Sequence, residues 1–371
     1  MRAVRFVALG DSLTEGVGDP AGDGWRGWAA LLAASLAEAA EAAEGVEAVP
    51  VVEGRRAGGA VPVVEDVEGV EAVPVVEGRR AGGAVPAVEG RRAVAAVEFS
   101  NLAVSGAQTR DVLERQTPAA LLLRPDLASV VVGVNDTLRH TFDIHAVAAD
   151  LDRVYATLTA RGATLLTACL PDPGAMLGLP GALARPLARR QRAVNTVVHA
   201  LSDRYGAVHL HAADGDWIAD RALWSADRLH PGERGHRQFA VRFHALLAEA
   251  GHVTGEPPSP EPEFPGPTRT ASLWWLATAG TGWVARRCRD LLPQLLRLAA
   301  DELHHHARGT GARLDLRASA AVSAALAALP GDGFDGAGVQ RRRTGTNRTG
   351  VPGTACAAAG RSAARTTAIT G

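Results

Sequence analysis

Phe6-Val7-Ala8-Leu9-Gly10-Asp11-Ser12-Leu13-Thr14-Glu15-Gly16 decides how this chain is read. An apolar run from Val4 to Leu9 stops abruptly at Gly-Asp-Ser, and a second glycine follows four residues after Ser12. A strand that ends this way delivers its last residues to the carboxyl-end rim of a sheet, where open α/β folds keep their ligands. Asp and Ser are also ordinary turn residues between a strand and a helix. The stretch therefore gains meaning only from what lies downstream.

Working outward, apolar runs alternate with segments of helical period. Trp25 to Glu44 reads as a helix, with Trp28, Leu31, Leu32, Ser35 and Leu36 near helical spacing. Val94 to Leu102 reads as strand two and Gln108 to Gln116 as a short helix. Leu127 to Val132 is an unbroken, Val-rich run that suits a central strand covered on both faces. Asp143 is placed to cap a helix from Ile144 to Arg161. Ala163 to Leu170 reads as strand four, Leu183 to Tyr205 as a long Arg-rich helix and Ala207 to Leu210 as strand five. Pro231 suits the first turn of a last helix reaching Glu249. This alternation predicts an α/β fold, a five-stranded parallel sheet with helices on both faces. Right-handed crossovers then bring the ends of strands one, two and three to one rim.

Three later stretches end at that rim or face it. They are Asn101-Leu102-Ala103-Val104-Ser105-Gly106, Gly133-Val134-Asn135-Asp136 and Asp227-Arg228-Leu229-His230. Together with Gly10-Asp11-Ser12-Leu13, and in this order, they resemble the four blocks of the SGNH/GDSL hydrolase family. The resemblance spans residues 1 to about 250, less one insertion. It implies a three-layer α/β/α, flavodoxin-like fold and a serine hydrolase acting on esters or thioesters.

The residue chemistry is consistent with that implication. A serine hydroxyl is a poor nucleophile until a base takes its proton. His230 can accept a proton near neutral pH and return it to a leaving group. Asp227, three residues earlier, can hold the other ring nitrogen and fix the tautomer. The expected catalytic set is therefore Ser12, Asp227 and His230. The expected oxyanion donors are the backbone N–H groups of Ser12 and Gly106 and the side-chain amide of Asn135. Asp11 and Asp136 read as structural, bonding loop amides. Trp25, Trp28, Phe142 and Leu177 suit either an apolar acyl pocket or the core. The scheme requires no cofactor and no metal. Two other readings stay open: an acyltransferase using the same three residues, and a non-catalytic protein associating with surfaces.

Composition bounds the rest. The 371 residues allow about two domains. A net charge of −1 implies no bulk attraction to nucleic acid or to a membrane. All 39 basic residues are arginine, which reflects the same coding bias as the abundant Ala, Gly and Val. Cys169, Cys288 and Cys356 are few and far apart, with neither a disulfide framework nor zinc-ligand spacing. The amino terminus enters strand one without a charged segment and a long apolar run, so the expectation is cytoplasmic, without a secretory signal.

Residues 45–93 are a low-complexity repeat inserted in the hydrolase domain of residues 1–250. Gly45 to Glu65 recurs as Gly69 to Glu89, differing only at Val63 against Ala87. Two units with Val as their only sizeable aliphatic make a disordered surface loop rather than a solenoid. Residues 251–270 read as a Pro-rich linker. Residues 271–307 read as an amphipathic helical appendix, with Leu291, Leu292, Leu295, Leu296, Ala299 and Leu303 on one face. That face suits packing on the protein, or weak contact with a membrane surface. Residues 308–371 read as a low-complexity, disordered tail. The expected partner is a small-molecule ester; oligomeric state is left open.

Overall fold

A computed structural model describes residues 3–44, 96–213, 218–253, 255–264, 293 and 295–330. The 45–93 repeat, most of the 271–307 segment and the chain beyond residue 330 lie outside the described residues. The described elements up to Leu329 form one unit.

Five strands make a single parallel sheet: β1 (Val4–Gly10), β2 (Val97–Asn101), β3 (Leu127–Val131), β4 (Thr164–Cys169) and β5 (Val208–His211). Their spatial order is β2-β1-β3-β4-β5, the flavodoxin-like arrangement. The expected three-layer fold is present. Order reverses at β1, so the crevice opens between the ends of β1, its neighbours β2 and β3, and the loops that follow them.

Alternation along each strand separates two cores. Phe6 and Ala8 of β1 face helices α1 (Gly27–Glu44) and α5 (Glu233–Glu249), together with Trp28, Leu32, Phe239 and Phe243. Val7 and Leu9 face the opposite layer, with Leu151, Val154 and Leu158 of α3 (Ile144–Ala160) and Val194, Val197 and Leu201 of α4 (Gly181–Tyr205). Trp28 is fully buried and stacks on Phe243 at 4.8 Å. It belongs to the core and not to a substrate pocket. Helix α2 is continuous but changes its winding: α-helical at Thr109–Asp111, π-helical at Val112–Gln116, α-helical again at Thr117–Leu123.

Two sequence expectations are corrected after residue 250. The Pro-rich segment is no free linker where it is described. Ser35 Oγ donates to the Glu256 carbonyl at 3.0 Å, and Glu263 accepts from Arg26 at 2.7 Å and Arg237 at 2.6 Å. Glu233 in turn accepts from the backbone N–H groups of Glu263 and Phe264. Proline content suggested a spacer, but spaced carboxylates meeting two arginines hold the strand of chain down. The tail is not wholly unstructured either. Residues 295–307 are helical (α6) and are followed by α7 (Gly311–Ala327). Val322 and Ala325 of α7, spaced three apart, join the core against α3 and α4. Ala is the strongest helix former, so the composition that read as low complexity also supports a helix. In α6, Glu302 is buried against Arg185 and Arg189, whereas Leu296 and Leu303 face solvent. Ala299 of the expected apolar face is also buried and Leu295 partly so, so part of that face turns inward beside Glu302. No described helix is long and apolar enough to cross a membrane.

Candidate active site

The rim is built first from backbone. Gly10 ends β1 at φ +152°, and a Cβ there would sit 2.3 Å from the Val131 carbonyl, so only glycine allows β1 and β3 to end this closely. Gln116, at the end of the π-helical turn, holds the same residue from both sides. Its Oε1 accepts from Gly10 N–H and its Nε2 donates to the Gly10 carbonyl, each at 2.8 Å. The wider turn thus supplies a buried amide that sequence reasoning missed.

Ser12 opens a short turn (Ser12–Glu15) whose N-cap is Asp11, accepting from Leu13 N–H at 3.1 Å. Asn101 ties the turn to β2 by donating to the Thr14 carbonyl at 2.9 Å. Glu15 accepts from both the backbone and the hydroxyl of Ser105, which brings the Gly106 loop alongside. Gly18 approaches so near to Pro231 that a Cβ would lie 2.0 Å from its carbonyl oxygen, locking the serine loop to the segment carrying His230.

Across that junction, Ser12 Oγ lies 2.7 Å from His230 Nε2, and His230 Nδ1 lies 2.6 Å from Asp227 Oδ2. The other oxygen of Asp227 accepts from Ser225 Oγ at 2.7 Å, Leu229 N–H at 2.9 Å and His230 N–H at 3.0 Å. Those three bonds fix the carboxylate, leaving Oδ2 for the ring. Burial alone would raise the Asp227 pKa, but the hydrogen bond and charge of His230 and the donors around it bring it down to about 2. Arg228, between the two, takes a left-handed conformation at φ +59°, an unfavourable backbone state for a side-chain-bearing residue held by its surroundings. His236 is a contrast. Trp28 N–H donates to its Nδ1 at 3.2 Å and its Nε2 faces the Val17 carbonyl at 3.0 Å, so both nitrogens serve the fold.

Gly106 and Asn135, the other two expected residues, are tied to the serine turn but are not in the same state. Gly106 is left-handed at φ +85°. Among the described residues, neither its backbone N–H nor that of Ser12 donates a hydrogen bond. Asn135 differs. Its Nδ2 donates to Asp11 Oδ2 at 3.2 Å and to the Ala107 carbonyl at 3.1 Å. Two acceptors face that end of the amide, so the orientation is fixed and both hydrogens are engaged. Asn135 thereby braces Asp11 and the Gly106 loop. Asp11 and Asp136 are buried, and desolvation raises their pKa values to about 6 and about 7 despite the N–H groups they accept.

Residues 68–238 match the model of the GDSL-like Lipase/Acylhydrolase family. The domain belongs to that family. The GDSL-like match includes Gly106, Asn135, Asp227 and His230 and does not reach back to Ser12. The chain is accordingly a hydrolase of the esterase and lipase class. Several solved structures are similar to part of the chain. TesA is 17% identical, with a TM-score of 0.42, over 66% of this chain and 98% of its own. The lipase/acylhydrolase of Enterococcus faecalis is 15% identical, with a TM-score of 0.43, over 68% and 98%. An acetyl xylan esterase of Geobacillus stearothermophilus, Axe2, is 16% identical, with a TM-score of 0.43, over 68% and 97%. The comparison with curated proteins finds no match.

Proposed function

We propose that this GDSL-like hydrolase cleaves carboxylic esters or thioesters through an acyl-Ser12 intermediate. One observation carries the reading: Ser12 Oγ, both nitrogens of His230 and Asp227 lie in one hydrogen-bonded line, with contacts of 2.7 and 2.6 Å. In this scheme His230 Nε2 takes the hydroxyl proton as Ser12 Oγ attacks the acyl carbon. The imidazolium keeps its Nδ1–H on Asp227, which stays ionised. His230 then protonates the departing alcohol or thiol, and the C–O or C–S bond breaks. A water molecule repeats the sequence on the acyl-serine, giving the free acid and regenerating Ser12.

The developing oxyanion falls to the Ser12 and Gly106 N–H groups, whose acceptors are otherwise missing among the described residues. Each such donor is worth about 10²–10³ in turnover. Asn135 contributes a third donor only by sharing or releasing its bond to Asp11. The test is hydrolysis of p-nitrophenyl esters of increasing chain length. Ser12→Ala and His230→Ala should each lose about 10⁴-fold or more in kcat with circular dichroism unchanged. Hydrolysis surviving in Ser12→Ala at a tenth of wild type overturns the proposal.

A further inference from the structure

A second group of reactive side chains shares no residue with the site around Ser12. Cys169 ends β4, His209 and His211 lie two apart on β5, and His199 projects from α4. Parallel pairing sets Cys169 opposite His211 and Thr167 opposite His209. All four chemistry-bearing residues therefore share the sheet face that α4 covers. One ligand atom from each lies within 4.8 Å of the other three. Neighbouring imidazole centres are 4.6, 4.8 and 5.0 Å apart, with rings nearly perpendicular.

The protons of His209 can be traced. Ser202 Oγ donates to the Val198 carbonyl at 2.6 Å, which uses its only hydrogen. Thr167 Oγ1 lies 2.7 Å from Ser202 Oγ, so the hydrogen between them is that of Thr167. The 2.9 Å contact of Thr167 Oγ1 with His209 Nδ1 then requires the proton on Nδ1. His209 Nε2 is left with a bare lone pair. It is buried and has no hydrogen-bond partner. A buried lone pair without a donor is costly.

We propose that Cys169, His199, His209 and His211 bind a zinc-class divalent cation through one thiolate and three imidazoles. The Thr167 hydroxyl holding Nδ1–H of His209 is the outer partner that metal-bound histidines commonly have. Zinc–nitrogen bonds of about 2.0–2.1 Å place tetrahedral imidazole centres about 5 Å apart, matching the three observed separations. Ligand atoms in such a site are about 3.3–3.6 Å apart, so about 1 Å of side-chain closure completes it. Ala213 N–H donates to Cys169 Sγ at 3.4 Å, and the thiol donates to the Leu210 carbonyl at 3.8 Å, a bond that gives way when the sulfur binds the ion. Binding releases the thiol proton to water and leaves the imidazoles neutral. His211 is exposed and gives the ion a route in. A thiolate with three imidazoles favours zinc over magnesium or calcium.

The test uses the untagged full chain, stripped with a chelator, equilibrated with zinc or cobalt(II) at neutral pH and desalted. Wild type should retain about one ion per chain, and zinc should raise its Tm. The cobalt form should show tetrahedral visible bands and a near-ultraviolet thiolate charge-transfer band. Cys169→Ser should lose that band. His211→Ala, at an exposed position, should fold, keep Ser12-dependent ester hydrolysis and lose more than nine-tenths of the bound metal. Replacing His304, His305 and His306 together with Ala should change nothing. No retained metal in wild type, a cobalt spectrum without the thiolate band, or undiminished binding in His211→Ala would each overturn the proposal. The last two outcomes would leave the cluster as a packing unit of aromatic rings.

Discussion

His230 and His209 are both half-enclosed imidazoles with Nδ1 held by an oxygen, and they differ in the charge of that oxygen and in what faces Nε2. His230 has a carboxylate on Nδ1 and a serine hydroxyl on Nε2. That ring can gain a proton on one side because an anion on the other side stabilises the charge. His209 has only neutral hydroxyls on Nδ1, and two imidazoles and a thiol beside its ring. Nothing there stabilises an imidazolium, so the lone pair suits a cation that arrives from outside. The partner of the far nitrogen, rather than burial alone, separates a proton carrier from a ligand.

The largest expected effect comes from removing the anion behind His230. Asp227→Asn should keep the fold and lower kcat by about 10³–10⁴, because the amide favours the wrong tautomer. An effect below about tenfold would erase the contrast between the two histidines. Acid unfolding sharpens the same contrast. Asp227 has its folded pKa depressed to about 2 from an ordinary 3.8. Its contribution, about 2 kcal/mol, is complete above about pH 4 and is lost as pH falls through about 2. Asp11 and Asp136 are raised to about 6 and 7, so their ionisation destabilises the fold and their protonation restores it as pH falls from 7 toward 4. Denaturant midpoints should therefore peak near pH 4 and fall as pH rises toward 7, and the acid limb below pH 4 should flatten in Asp227→Asn. The smallest effect belongs to the strap. Glu263 is 55% exposed, so Glu263→Gln should cost under about 1 kcal/mol, while leaving kcat unchanged.

The parts of this molecule legible in the sequence are those encoded locally. Strand ends, the Asp143 cap and the order of the rim blocks follow from runs and neighbours a few residues apart. Asp227 and His230 sit three apart, so their pairing is visible before folding. Gln116 and Asn135 were harder, because their bonds span about a hundred residues in the chain. Asn135 was recognised as a donor, but its engagement with Asp11 depends on where β1 and β3 end. The Cys169 cluster was barely legible: His209 and His211 sit two apart, but Cys169 and His199 join them only through the β4–β5 register and the seat of α4. Composition misled at α7, where alanine reads as low complexity until two small residues find a core.

The most direct test of the Ser12 scheme is labelling the intact chain with a fluorophosphonate and mapping the adduct by mass spectrometry. One adduct per chain on Ser12, absent in His230→Ala and blocked by prior incubation with an ester substrate, is the predicted result. An adduct on any other serine, with Ser12 unmodified, would contradict it.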